Sequence, residues 1–268
     1  MRSLRGRTAV VTGAASGIGR ALARRLARAG MNLVLADVDL PRLRAVAGEI
    51  PGALAVRTDV SRAADVEALA AKAYARFGAV HLLCNNAGIA DSGPIWEVPL
   101  PRFRRVLAVN LWGAIHGCRA FVPRMLAQGG PGHVLNTASM AGLLTPPMAG
   151  AYSVSKHAVV ALSEALVQDL ALRGASIGVS VLCPGWVATR LLASAPAVDP
   201  LVRALVAHGL SPDAVAVQTV RAVREGRFYV LTHPALTKAI KARAERIVSG
   251  RFPYGPALRP PRGRSPGG

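Results

Sequence analysis

The 268-residue chain is predicted to form an α/β fold, a doubly wound parallel sheet in three layers built as a single domain. Three observations predict it. Short, unbroken apolar runs alternate with stretches of helical period, the pattern of strands buried on both faces by covering helices. A glycine-rich segment, TGAASGIG (12–19), stands between the first apolar run and the first helical stretch. No linker or break in composition interrupts the alternation, which favours one core.

The elements follow in order. TAVVT (8–12) reads as a strand, and the next helix shows Ile18, Leu22 and Leu26 on one face with Arg20, Arg24 and Arg28 on another. Strands are expected at NLVLAD (32–37), ALAVRTD (53–59) and VHLLCN (80–85), with helices over 40–48 and 62–77 between them. A long helix at about 101–127, a strand HVLNTAS (133–139), a helix at about 151–172 and a strand IGVSVLC (177–183) continue the rhythm. A helix at about 211–224 leads to a last strand, FYVL (228–231). Segment 186–210 breaks the pattern: it is apolar, holds Pro196 and Pro200, and has the length of a substrate loop. The domain is drawn over residues 1–249. Residues 250–268 hold five prolines, five glycines and four arginines, so a disordered tail is expected.

Composition bounds the function. The chain is 51% hydrophobic and has 33 basic against 14 acidic side chains, a formal charge of +19. Lysine occurs only at Lys72, Lys156, Lys238 and Lys241, so the excess is arginine. The arginines are spread along the chain and read as solvated surface charge; contact with nucleic acid or an anionic membrane through the basic termini is the lesser reading. Cys84, Cys118 and Cys183 show no zinc or disulfide spacing, and two lie in apolar runs, which suits buried thiols in a reducing cytoplasm. The histidines lack ligand spacing, so no metal site is expected. The apolar run after the basic start is too short for a leader, and no stretch reaches membrane-spanning length.

Two motifs carry chemistry. Gly13, Gly17 and Gly19 permit a tight turn and close backbone approach, and the helix N-terminus that follows offers free N–H groups to a pyrophosphate. Asp37, at the end of the second strand, can accept both hydroxyls of a ribose and would repel a 2′-phosphate. Ala14, Ala15, Ser16 and Val38 around the turn include no base, so NAD is expected rather than NADP. Asp39, before Leu40-Pro41, reads as a helix cap. The second motif is YSVSK (152–156), a phenol and an amine one helical turn apart. Spacing alone leaves open whether this is one turn of an ordinary helix or an acid–base pair.

With these residues in order, the chain resembles the classical short-chain dehydrogenase/reductase family over about residues 7–190. TGAASGIG is similar to its cofactor loop, Asp59-Val60 to its adenine contact, NNAG (85–88) to its motif after the fourth strand, and Asn110 in VNLWG to its helix asparagine. Ser139 in TAS, YSVSK, and PGWVAT (184–189) complete the set. The resemblance implies a Rossmann-like fold. It implies cofactor contacts from Gly13, Ser16, Gly17, Ile18, Gly19, Asp37, Asp59, Val60, Asn86, Ala87, Gly88, Tyr152, Lys156, Pro184, Gly185, Val187 and Thr189. It implies Asn110, Ser139, Tyr152 and Lys156 as the catalytic residues. Tyr152 would handle the proton and Ser139 hold the substrate oxygen. Lys156 would orient the nicotinamide ribose, and Asn110 would bend its helix and position a water that relays the proton. Val187 and Thr189 would fix the carboxamide.

Lowering a phenol by ~3 pKa units needs roughly 4 kcal/mol of preference for phenolate. A cation about 5 Å away at an effective dielectric near 20 supplies roughly 3 kcal/mol. Lys156 is therefore expected to do much of the work and the nicotinamide cation the rest.

The expected function is hydride transfer between NAD and a secondary alcohol or ketone. Leu191, Leu192, Val198, Leu201, Val202 and Leu205 in the substrate loop suggest a hydrophobic substrate such as a steroid, terpenoid or fatty alcohol. Two alternatives stand beside it: an NADPH-dependent ketoreductase for carrier-bound acyl chains, and a basic binding protein on the same scaffold. The resemblance also implies a homotetramer or homodimer assembled through the long helices. His157 reads as packing; Trp186 reads as either cofactor floor or core.

Overall fold

The computed structural model describes residues 1, 3–191 and 200–254, with Leu201 by its backbone alone. Seven strands form one sheet: β1 (Thr8–Thr12), β2 (Asn32–Asp37), β3 (Leu54–Arg57), β4 (Leu82–Asn85), β5 (Gly132–Thr137), β6 (Ile177–Cys183) and β7 (Tyr229–Leu231). All pair in parallel, in the order β3-β2-β1-β4-β5-β6-β7. The chain winds outward from β1 through β3, then returns to lay β4 on the other side of β1. That reversal opens a crevice at the carboxyl ends of β1 and β4, the place where such sheets bind ligands.

Side chains alternate along each strand, so β1 feeds both faces. Ala9 and Val11 join a core with Leu22 and Leu26 of α1 (Gly17–Arg28), Leu43 of α2 (Leu40–Gly48), and Val215 and Val223 of α8 (Pro212–Glu225). Val10 joins the other core with Leu69 of α3 (Ala63–Phe77), Phe121 and Met125 of α5 (Gly113–Gln128), and Leu170 of α6 (Gly150–Leu172). Asp39 caps α2 by accepting from the Arg42 N–H at 3.2 Å, as its position suggests.

Three features depart from the sequence reading. The helix expected at 101–127 is α4 (Leu100–Leu107) and α5 joined by a π-helical turn, Ala108–Trp112. Segment 186–210 is not wholly irregular, since α7 covers Pro200–Ala207. Leu192 and Val198, with the rest of 192–199, lie outside the described residues, as does the side chain of Leu201. Finally, the compact unit carrying the sheet ends at Thr232, short of residue 249. The described residues from His233 to Tyr254 belong to a second, small unit with an unexpected helix, α9 (Thr237–Val248), which buries none of its residues. Most of the tail, 255–268, lies outside the described residues.

One buried group makes the fold sensitive to acid. His133 of β5 is 1% exposed; its Nε2 bonds the Ser180 Oγ at 2.8 Å, and that hydroxyl donates onward to the Arg227 carbonyl. Burial pushes the imidazole down to about 4. The unfolded chain therefore takes up this proton first, at about pH 6.5. The contribution is complete above that pH and is lost progressively as pH falls toward 4, roughly 3 kcal/mol in all. Urea unfolding at pH 7.5 and 5 checks it. His133→Gln should lose less stability over that interval than wild type; equal losses would exclude this histidine as the cause.

Candidate active site

The crevice at the carboxyl ends of β1 and β4 is shaped by missing side chains. A Cβ on Gly13, whose φ is +66°, would lie 2.8 Å from Ala87 Cα. One on Gly19 would fall inside the Gly13 carbonyl oxygen and 2.6 Å from Asn86 Nδ2. Thr12, which the motif reading passed over, ties the two strand ends together. Its Oγ1 accepts from the N–H groups of Asn86 and Ala87 at 2.9 and 3.1 Å, while Asn86 Nδ2 donates back to the Thr12 carbonyl at 2.9 Å. Its position directly before Gly13, at the end of a strand, was the available signal.

Asp37 sits where the sequence placed it, at the end of β2, partly exposed. Its Oδ2 accepts from the Ala15 N–H of the glycine loop at 3.0 Å and its Oδ1 from the Asp39 N–H at 3.1 Å. Each oxygen retains lone-pair capacity for a ribose hydroxyl. Asp59 is turned to its own loop, accepting from Ser61 N–H and Oγ. Val60 packs under the start of α5, where a Cβ on Gly113 would meet it at 2.8 Å, and its carbonyl bonds His116.

The second cluster lies at the carboxyl ends of β5 and β6. Lys156, 3% exposed, donates from Nζ to the Thr137 carbonyl at 2.9 Å and stands 5.6 Å from the centre of the Tyr152 ring. The Ser139 hydroxyl acts on the Tyr152 phenol, drawing it down; its Oγ donates to the Pro184 carbonyl at 3.4 Å and receives the Ala141 N–H at 3.1 Å. Gly88 closes the space from below: a Cβ there would touch Lys156 Nζ at 3.5 Å and Asn110 Oδ1 at 3.4 Å. Tyr152, Ser139, Lys156, Asn110 and the NNAG segment are thus brought together.

Asn110 lies in the π-helical turn, so its helix departs from the regular α ladder there. Three of its four hydrogen-bonding positions are filled. Oδ1 accepts from the Ile89 N–H, and Nδ2 donates to the Ile89 carbonyl and to Ser155 Oγ, which in turn donates to the Tyr152 carbonyl.

The same stretch continues as a strap that sequence reasoning missed. The Arg102 guanidinium pairs with the buried Asp91 carboxylate, and Gly93 N–H donates to the Met148 carbonyl at 2.8 Å. Met148 takes a left-handed φ of +62°, which costs on the order of 1–3 kcal/mol for such a residue. The strap thereby fixes the entry into α6, four residues before Tyr152.

Burial adds a cost at Tyr152 that the charge arithmetic left out. Burial pushes the phenol above its ordinary value, with the Ser139 hydrogen bond opposing, and burial holds Lys156 down at about 8.

The third wall is the segment after β6. Pro184 accepts from the Met140 N–H, Val187 bridges to Leu210, and a Cβ on Gly17 would meet Thr189 Cγ2 at 3.2 Å. Gly185 stands between these contacts, and Ile18 lies at the start of α1 beside Ser16, its N-cap. Trp186 is 37% exposed and so belongs to no core. His157 packs through Nδ1 against the Ser153 carbonyl. Cys84 and Cys183 are fully buried, and burial raises both thiols. Among the described residues no three His, Cys, Asp or Glu side chains gather as a metal set, and no helix is long and apolar enough to cross a membrane.

Comparison with known proteins places this geometry. A family model described as short chain dehydrogenase matches residues 7–199. A 1-deoxy-11-beta-hydroxypentalenate dehydrogenase of Streptomyces exfoliatus is 42% identical over 239 residues, covering 86% of this chain and 84% of that protein. A CLA biosynthesis dehydrogenase/reductase of Lactiplantibacillus plantarum is 33% identical, covering 94% of this chain and 97% of its own length. A solved short chain dehydrogenase/reductase from Burkholderia phymatum, in complex with NAD, superposes with a TM-score of 0.91 at 42% identity, covering 96% and 99% of the two chains.

Proposed function

The chain belongs to the short-chain dehydrogenase family and is an NAD(P)-dependent oxidoreductase of alcohols or ketones; from that premise we propose that it uses NAD and oxidises a hydrophobic secondary alcohol, with Tyr152 as the acid–base residue. The observation that carries this is the Tyr152, Ser139 and Lys156 cluster beside a glycine-lined crevice that a single Cβ would block. Bound in that crevice, NAD supplies a hydride acceptor and a positive charge. Ser139 Oγ holds the substrate oxygen against Tyr152. Tyr152 Oη takes the hydroxyl proton. Lys156, still mainly ammonium at neutral pH, stabilises the phenolate and orients the ribose, while Thr137 fixes its Nζ. Asn110 and Ser155 hold the backbone at Tyr152.

The choice of NAD rests on Asp37. Its Oδ2 is held by the Ala15 N–H of the glycine loop and its Oδ1 by the Asp39 N–H, so a 2′-phosphate there would meet a carboxylate with no base among the loop residues to offset it. Asp37→Ser should reduce the ratio of kcat/KM for NAD over NADP by at least tenfold, about 1.4 kcal/mol or more. A ratio unchanged in that variant would remove the assignment.

The substrate class rests on the apolar sequence of segment 186–210 and on a relative named for hydroxypentalenate, a terpenoid-type substrate. Purified protein with NAD and a panel of terpenoid, steroid and fatty secondary alcohols should form NADH, whereas turnover confined to small polar alcohols would overturn the hydrophobic reading. A homo-oligomer through the outer faces of α5 and α6 is the proposed assembly; Trp112, just before α5, and Val154, on α6, are exposed.

A further inference from the structure

A cavity of about 600 Å³ opens beside the cofactor crevice, between α1, α7 and the first turn of α8. Gly17 and Thr189 form the edge it shares with the crevice, and Arg20, Arg24, Arg190 and Arg203 line its wall. Asp213 is the acidic residue on that wall. Arg20 and Arg24 share one carboxylate, Glu49, which their hydrogen bonds hold below the usual carboxylate range. The buried Arg20 Nε has no acceptor among the described residues. Arg190 and Arg203 make no hydrogen bond or ion pair among the described residues. Both lie on the segment read as the substrate loop. Four guanidiniums therefore face one cavity with two carboxylates to balance them, and two planar donor forks are left open. Guanidinium forks match carboxylate and phosphate oxygens in paired hydrogen bonds. The rest of the wall is apolar, with Ala21, Val206 and Ala207, so the cavity suits a charged head on a hydrophobic body.

We infer that this cavity is an anion subsite that takes a carboxylate or phosphate group, with Arg190 and Arg203 as its open donors. The group comes either from the substrate, which is then a hydrophobic hydroxy acid rather than a neutral alcohol, or from a separate small anion bound next to the cofactor. The first source rests on the alcohol-oxidising function proposed above; the second does not. A substitution at these arginines should spare the fold, because neither side chain is tied to another described residue.

The test compares wild type with Arg190→Gln/Arg203→Gln in two arms. In the first, NADH formation is followed with a hydrophobic hydroxy acid and with its methyl ester. Wild type should favour the acid at least tenfold in KM. The double variant should lose that preference while turning over the ester unchanged. In the second, thermal unfolding is followed with inorganic phosphate or pyrophosphate in the presence and absence of saturating NAD. Stabilisation that persists under NAD and disappears in the variant assigns the site to a separate anion. Absence of both an acid preference and an anion-dependent stabilisation in wild type would overturn the inference, as would either effect surviving in the variant. A weakened NAD dissociation constant as the variant's sole change would give the arginines to the cofactor and overturn it as well. Wild type that oxidises no alcohol of any kind would instead count against the proposed function, and the unfolding arm would still read out the cavity.

Discussion

Replacing Tyr152 with phenylalanine is expected to lower kcat by roughly 10²–10⁴-fold, the span of a positioned acid–base group, while the dissociation constant for NAD stays within about twofold. The change removes one oxygen. It leaves the ring beside Lys156 and leaves α6 intact, because the bonds that fix this turn run from the Ser155 hydroxyl to the Tyr152 carbonyl and from Lys156 to the Thr137 carbonyl. Stopped-flow NADH formation and NAD titration on the same preparation check both halves. Loss of NAD binding along with turnover would mean the hydroxyl is structural. Retained turnover would hand the proton to another group, and no other described side chain stands against both Ser139 and Lys156 with an ionisable oxygen.

Gly19→Ala should act on the cofactor instead. The added methyl would overlap the Gly13 carbonyl and crowd Asn86 Nδ2 at 2.6 Å. Neither neighbour can yield cheaply: Gly13 holds a left-handed φ, and Asn86 is bonded to Thr12. Forced overpacking costs typically 1–3 kcal/mol, so a fall in Tm of about 2–10 °C is expected. Because the displaced atoms are those of the dinucleotide loop, NAD affinity should fall by at least about 100-fold. Gly48→Ala is the control, since a Cβ at that helical position meets nothing within 4 Å. Equal NAD affinity in the Gly19 variant would show that the crevice is not where the cofactor binds.

Much of this was legible in the sequence because it is local. β1, β2 and β6 carry the bounds that their apolar runs suggested, since strands buried on both faces leave little doubt in the pattern. YSVSK could be placed on one helical face for the same reason. What the sequence withheld was long-range. The Asn85, Asn136 and Ser163 chain of buried hydrogen bonds joins β4, β5 and α6, and nothing at those positions announces their partners. The Asp91–Arg102 pair depends on a loop fold. The upward push of burial on Tyr152 was left out because distance alone entered the arithmetic, whereas desolvation depends on what closes over the phenol. The second unit was missed because α9, for all its helical sequence, buries nothing and so contributes no core to recognise.

The pH dependence of alcohol oxidation bears most directly on the pairing of Tyr152 with Lys156. With saturating NAD and a hydrophobic secondary alcohol, NADH should form, and kcat should rise with pH through one ionisation lying below the ordinary phenol value. Lys156→Gln should move that ionisation upward and Tyr152→Phe should erase it. A profile that keeps its midpoint in both variants, or a protein that forms no NADH at any pH, would contradict the assignment.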